Sequence, residues 1–457
     1  MGIKDLYDTA GVDINDAAGS DSHDAAGSDI SRRGFLAASA VAGVGTAVLA
    51  ASVATGLVGC DLEEPAVEDE FAVPPTPAGE DPVTLKVSVE QLLEATLFDE
   101  RPLFDYLRET NRYYLPYGTI VYQIDNNSAL ALTPNDQGKA LVEFKLLDLN
   151  SGQLTPLLNR AVGSQKSHPD AILYDGRASD SLLAWTEYDI SNFHWQVYVA
   201  PITAEGLGDA VLIDEGDPDY EVPLIAIEGD KVYWTVMPNP DGPAQYEDSY
   251  LKAMVYDRRQ PWIVYTSHGR ISTSPLISQG VLTFAPRVDT KNIYYQLTAL
   301  STATDRPIAW AIMPQSVRVY EAIYLDKNFS FSIENNYSYA EGLGFYGTYM
   351  PLPLSDYWLH LSRKPSAPPV MLNGRLVVKS ATRVIGIDAV DRIYYSIPPV
   401  ADSADYGDTL AGWGLQDRLV IYSNVRSRGS QSVATGVVRV FSPVIKEDVE
   451  EPAELSS

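Results

Sequence analysis

Short strand segments recur along this 457-residue chain at nearly constant spacing, which restricts its fold more than any other feature. Each unit has an aromatic-rich strand, a variable loop, a second strand and a short turn into a third. "LLAWTEYD" precedes "WQVYVAPITAEGLGDAVLI", "KVYWTVMP" precedes "YLKAMVYDRRQPWIVYTS", and "VLTFAPRVD" precedes "IYYQLTALSTATDRPIAWAI". Taking Val121, Trp185, Trp234, Phe284, Phe331 and Tyr394 as equivalent positions gives spacings of 64, 49, 50, 47 and 63 residues. A period near 50 that alternates strands with Gly, Pro, Asn and Asp turns implies one supersecondary unit stacked on copies of itself.

Each unit holds about four strands, the size of a β-propeller blade. The expected fold class is therefore all-β: a propeller over 117–443 with six blades. A seventh is left open if the last two strand groups divide differently and "TLKVSV" at 84–89 closes the ring. A sandwich or a pair of β-domains is the alternative. Radial repetition explains how a long β chain with one cysteine avoids exposed sheet edges without disulfides. Residues 83–116 are expected to be a helical segment packed on the propeller. "SVEQLLEATLFDERPLFDYLRET" offers Ser88 as N-cap with Gln91 three residues on, and Leu92, Leu93, Leu97 and Leu103 as apolar positions. "LLDLNSGQLTPLL", a strand ending in Asp and followed by a polar turn and a short apolar strand, resembles the blades of TolB-like six-bladed propellers. That resemblance implies a fold and no binding residues, and the family's repeated "SPDG" turn is missing.

The N-terminal region sets the expected compartment. "SRRGFLA" places Arg32 and Arg33 ahead of an uncharged stretch from residue 37 to 59, the order of an export signal. The run Ser31, Arg32, Arg33, Gly34, Phe35 and Leu36 resembles a twin-arginine (Tat) signal, with Ala37 in place of the usual Lys. "LVGC" resembles a bacterial lipobox, which implies that Cys60 takes a diacylglycerol and becomes the N-terminus. The competing reading is an uncleaved membrane span, since 23 uncharged residues suffice to cross a bilayer. Residues 1–59, with their repeated "DAAGSD", are thus read as a signal with a disordered acidic extension. Residues 60–82 hold eight acids and five prolines and no Lys or Arg, the composition of an extended tether. Residues 444–457 are expected to be a disordered acidic tail.

The net charge of −28 repels nucleic acid at long range and leaves proteins, peptides, glycans and metal ions as partners. No "HExxH", "GxSxG", P-loop, dinucleotide-binding glycine turn or EF-hand loop occurs, and no cofactor is implied. Chemistry is sought instead on the long loops between second and third strands. The candidate ligand-binding residues are Tyr188 and His194 in one loop, Tyr246 and Glu247 in another, Tyr339, Glu341 and Tyr346 in a third, and Asp405, Tyr406 and Trp413 in a fourth. Aromatic faces beside carboxylates suit sugars, whose C–H faces stack while hydroxyls donate to acids, and basic peptides through cation–π contacts. Equally, such aromatics can pack the loops on one another while the acids are merely solvated. Asp189 beside His194 suggests an oriented base. "DEGDPDYE" at 214–221 and "ADSADYGD" at 401–408 are oxygen-rich enough for Ca²⁺ but lack a recognised spacing. Three functions fit: an anchored extracytoplasmic binding propeller, a surface glycan hydrolase using a loop carboxylate pair such as Glu341, Asp405 or Asp248, and a structural subunit of an envelope complex.

Overall fold

The computed structural model describes residues 82–134, 142–163, 170–289, 291–362, 367–380, 383–403, 407–426 and 434–444. Arg32, Arg33, Cys60, nearly all of the tether and of the acidic tail, His168, Asp405 and Tyr406 lie outside them. Among the described residues no helix is long and apolar enough to cross a membrane.

The chain is an all-β propeller. Of the two blade counts open from the sequence, strand pairing among the described residues gives seven sheets. Blade 1 runs Ile120–Gln123, Ser128–Pro134, Val142–Asp148, Leu154–Leu158, and blade 2 runs Ala171–Ala178, Leu182–Asp189, His194–Thr203, Val211–Gly216. Blade 3 comprises Ile225–Glu228, Lys231–Val236, Ser249–Val255 and Trp262–Ser267; blade 4 comprises Leu276–Ser278, Val281–Phe284, Gln296–Ser301 and Pro307–Ile312. Blade 5 is Glu321–Leu325, Asn328–Ile333, Gly347–Pro351 and Trp358–Leu361, and blade 6 is Val370–Leu372, Arg375–Ser380, Arg383–Asp388 and Ile393–Ile397. Blade 7 takes Thr409–Leu410, Leu419–Arg426 and Ala434–Pro443 from the end of the chain and its fourth strand, Leu107–Pro116, from the beginning. The ring is thus closed by a strand paired from Leu107↔Pro443 to Pro116↔Thr435, rather than by 84–89.

Packing confirms the closure. Each apolar seam joins neighbouring blades: Leu132 and Phe144 meet Trp185 between blades 1 and 2, and Val197 and Val199 meet Trp234 between 2 and 3. Tyr233 meets Phe284 between blades 3 and 4, Leu297 meets Phe331 between 4 and 5, and Leu361 meets Ile385 between 5 and 6. Val377 with Ile421 and Val440 with Val121 complete the circle. Because both faces of a blade are covered by neighbours, inner strands bury consecutive residues, as in "LLAWTEYD", instead of alternating. Full burial of Trp185, Trp234 or Phe331 contributes on the order of 2–3 kcal/mol each.

The seams also explain the uneven period. Trp185, Trp234, Phe284 and Phe331 do occupy second strands, but Val121 lies in a first strand and Tyr394 in a fourth. Second strands 1 and 6, "SALALTP" and "RLVVKS", carry no aromatic residue, so an aromatic marker slides onto a neighbouring strand. The second-strand positions Ala131, Trp185, Trp234, Phe284, Phe331, Val377 and Ile421 are spaced 54, 49, 50, 47, 46 and 44.

The expected N-terminal α-helix is absent from residues 88–110. Gln91 Oε1 does accept the Ser88 N–H at 2.8 Å, but the turn it caps is a single 3₁₀ turn, Val89–Gln91. Two further 3₁₀ turns, Ala95–Leu97 and Leu103–Asp105, alternate with Leu92–Glu94 and Asp99–Glu100, which pair in parallel with the fourth strands of blades 5 and 6. Leu85 N–H donates to Ile312 O on the outer strand of blade 4. This segment is therefore a belt laid along four successive blade edges, satisfying backbone groups that an open edge would leave unpaired. Pro102 lacks the N–H a helix would need there, and Leu97, on the predicted apolar face, is exposed.

Carboxylates also join blades. Asp214 of blade 2 accepts Trp234 Nε1 at 2.6 Å and Lys252 Nζ at 2.9 Å from blade 3. Asp305, in the last hairpin of blade 4, accepts Lys231 Nζ at 2.7 Å, Tyr233 Oη at 2.8 Å and Trp262 Nε1 at 3.2 Å.

Candidate functional site

Antiparallel blades sort the loops by face. Connections from second to third strands, and from each blade to the next, emerge on one face; hairpins joining first to second and third to fourth strands emerge on the other. The loops at 189–194, 237–248 and 334–346 belong to the first face, on blades 2, 3 and 5. The topology therefore gathers Tyr188, His194, Tyr246, Glu247, Tyr339, Glu341 and Tyr346 on one side of the ring. Of the eight exposed aromatic residues among those described, five, Phe193, Tyr246, Tyr339, Phe345 and Tyr346, lie in these loops. Tyr246 is 89% exposed and Tyr339 61%.

These loops are braced from beneath. Asp189 Oδ1 accepts the Ser191 and Asn192 N–H groups at 2.9 and 3.1 Å, and Oδ2 accepts Asn192 Nδ2 at 3.0 Å, so this acid shapes a turn. Tyr188 is half-buried against Tyr174, with ring centroids 6.0 Å apart, and burial raises its hydroxyl pKa. Glu247 accepts the Tyr220 hydroxyl at 2.8 Å, and that bond, more than burial, pushes Tyr220 up to about 12. Asp248 lies 3.4 Å from His268 Nδ1. In blade 5 the loop is fastened to the belt: Gly342 N–H donates to Val87 O at 3.1 Å, and Tyr349 Oη donates to Gly342 O at 3.1 Å. His360, buried beneath, has Nε2 3.2 Å from Tyr346 O and bonds the Glu94 carboxylate of the belt through Nδ1. Of the acids at 214–221, Asp214 has the partners given above and Glu221 accepts Arg270 Nη2 at 2.7 Å. Among the described residues no group of three or more His, Cys, Asp or Glu is placed to hold a metal ion.

Trp413 is separated from its sequence companions. It lies in the segment joining Thr409–Leu410 to Gly414–Gln416, which leaves blade 7 and pairs in parallel with Val370–Leu372, the innermost strand of blade 6. Trp413 Nε1 donates to Ile277 O of blade 4 at 3.0 Å, and Gln123 N–H of blade 1 donates to Ala411 O at 2.9 Å. This segment therefore crosses the axial channel. A cavity of about 90 Å³, open to solvent, lies there against the C-terminal halves of the first strands, toward the face opposite the aromatic loops. Tyr122, Arg177, Ile227, Ile277 and Trp413 line it. The Arg177 guanidinium lies 3.7 Å above the Tyr122 ring and 5.8 Å from Trp413, with Nη1 2.8 Å from Asp175 Oδ1. Burial opposes its charge, but Asp175 and Tyr122 more than offset that and keep it protonated.

Sequence reasoning missed Arg177 and Glu321. For Arg177 a signal existed: a cation in an apolar strand of a strongly acidic chain. Glu321 opens the first strand of blade 5 on the aromatic-loop face, where its Oε2 is enclosed with no hydrogen-bond partner among the described residues. Burial, and secondarily Glu334, push its carboxyl up to about 8.

No protein-family model matches the sequence, and no curated protein matches it. Solved structures resemble the fold. A prolyl endopeptidase aligns over 73% of this chain and 47% of its own at 12% identity and TM-score 0.47, so this chain spans about half its length. A puromycin-hydrolyzing peptidase of Mycobacterium tuberculosis aligns over 77% of this chain and 57% of its own, at 14% identity and TM-score 0.43. The β-propeller domain of the trilobed protease from Pyrococcus furiosus aligns over 61% and 84%, at 12% identity and TM-score 0.40.

Proposed function

We propose that this chain is a lipid-anchored, extracytoplasmic binding propeller that takes a protein, peptide or glycan on its aromatic-loop face. The observation that carries this reading is the concentration of exposed aromatics there, on loops whose backbones are already fixed by Asp189, Val87 and His360. Fixed loops lose little entropy on binding, and the neighbouring acids favour hydroxyl-rich or cationic partners over anionic ones. Export through Arg32 and Arg33 and diacylglycerol attachment at Cys60 would present the propeller outside the cytoplasm on the acidic tether. Mature protein is to be screened on glycan and basic-peptide arrays beside a Tyr246→Ala/Tyr339→Ala variant. Hits that vanish in the variant support the reading; an absence of hits sinks it. Cys60→Ser is expected to move the protein from the membrane to the soluble fraction.

The raised carboxyl of Glu321 beside Glu334 favours a second reading, a surface glycan hydrolase with that pair as acid and base. Glycan turnover abolished by Glu321→Gln and kept by Glu341→Gln would select it.

A further inference from the structure

The axial cavity is chemically distinct from the aromatic-loop face. Arg177 spends only Nη1 on protein, donating to Asp175 Oδ1 at 2.8 Å and to Gly176 O at 2.7 Å. Its hydrogen bonds among the described residues run from Nη1 alone, so Nε and Nη2 are left to the cavity that the residue lines. These two nitrogens form the edge of a guanidinium fork that matches a carboxylate bidentately. The plane of the fork is braced by the Tyr122 ring 3.7 Å away, and Trp413, edge-on to Tyr122, flanks the guanidinium at 5.8 Å. Ile227 and Ile277 supply apolar lining to the same cavity, beside the amides of Gln123 and Gln416.

We propose that this cavity is a binding site for a monocarboxylate with a compact apolar body, the carboxylate seated on Arg177 Nε and Nη2 and the body against Ile227, Ile277 and Trp413. Charge selects the class. Asp175 already neutralises the guanidinium, so a dianion such as phosphate would sit against that carboxylate within a chain of net charge −28. A monoanion meets the fork with far less repulsion. Small and open to solvent, the cavity admits only a compact acid or the last residue of a peptide. This site is independent of the loop-face reading, since it opens toward the other side of the ring.

The test is calorimetric titration of the full-length protein with N-acetyl-leucine, N-acetyl-leucinamide, and a leucine-terminated tripeptide in free-acid and amidated forms. Saturable binding of the acids, weakened about tenfold to a hundredfold by amidation, is expected from the loss of a charge-assisted pair. A free tripeptide that binds more tightly than the acetylated amino acid identifies a peptide C-terminus as the source; the reverse identifies a free small acid. Arg177→Gln removes the cation beside the buried Asp175 carboxylate and risks misfolding, so the decisive variant is Asp175→Asn/Arg177→Gln, which removes the pair together and is expected to lose acid binding. Ile277→Trp fills the cavity without touching the pair and is expected to lose it as well. Binding that ignores amidation, binding kept by the double variant, or no saturable binding of any acid would each overturn the assignment.

Discussion

Replacing Glu321 with Gln tests whether blade 5 carries a carboxyl that folding holds protonated. The carboxyl ordinarily titrates near 4.5, and burial with Glu334 nearby raises it to about 8 in the folded protein. The folded state then binds the proton more tightly than the unfolded state does. Its contribution to stability is fully present below about pH 4.5 and is lost as pH rises through about 8. Each tenfold difference in proton affinity corresponds to about 1.36 kcal/mol, so the full loss is at most about 5 kcal/mol. Between about pH 5 and pH 9 the share attributable to this group is about 4 kcal/mol. Gln keeps the shape and cannot ionise. Urea unfolding of wild type and variant, measured at intervals across that range, cancels every other titrating group in the difference. The variant is expected to gain on wild type steadily with pH, with unchanged m-values. Parallel curves would show that Glu321 is solvated and ionised in the native state, and the reasoning from its enclosed oxygen would fail.

Asp305→Ala leaves Lys231 beside two aromatic rings without its counter-charge, and a urea midpoint lowered by the equivalent of about 3 kcal/mol is expected. Gly386→Ala drives a methyl group into the Tyr395 ring, forcing that buried ring off its stack with Tyr106. The expected loss is about 2–3 kcal/mol by the same assay, with altered near-ultraviolet circular dichroism. A chain beginning at Tyr117 lacks the closing strand and exposes the edge of Ala434–Pro443, which pairs with Leu107–Pro116 in the ring. Light scattering after size exclusion is expected to show oligomers or aggregates in place of the intact chain's species.

Much of the site chemistry was invisible along the chain because partners are remote. "YDISNFHW" advertises an acid beside a histidine, yet the fold uses Asp189 to cap the Ser191–Asn192 turn. His360 reads as a lone histidine because Glu94, its partner, lies 266 residues earlier in the belt. Arg177, Tyr122 and Trp413 come from blades 2, 1 and the segment between blades 7 and 6, and only closure of the ring brings them around one cavity. By contrast, the aromatic loops of blades 2, 3 and 5 were legible as a shared face, because strand order alone decides on which side a connection emerges.

By itself the sequence determined the class of this protein and the size of its repeat. Turn residues and strand segments are local, and four second-strand aromatics, Trp185, Trp234, Phe284 and Phe331, keep the period through the middle blades. It also determined the hairpin at Asp148, whose Oδ1 accepts the Asn150 and Ser151 N–H groups at 2.8 Å each, a bond set within four residues. Only the tertiary structure decided the blade count, the closing strand and the fate of residues 83–116. Those depend on edges that exist only once the other strands have paired. Leucines at positions 92, 93 and 97 are compatible with a helix in isolation, but against the open outer strands of blades 5 and 6 an extended backbone satisfies more N–H and C=O groups, and that choice belongs to the assembled ring.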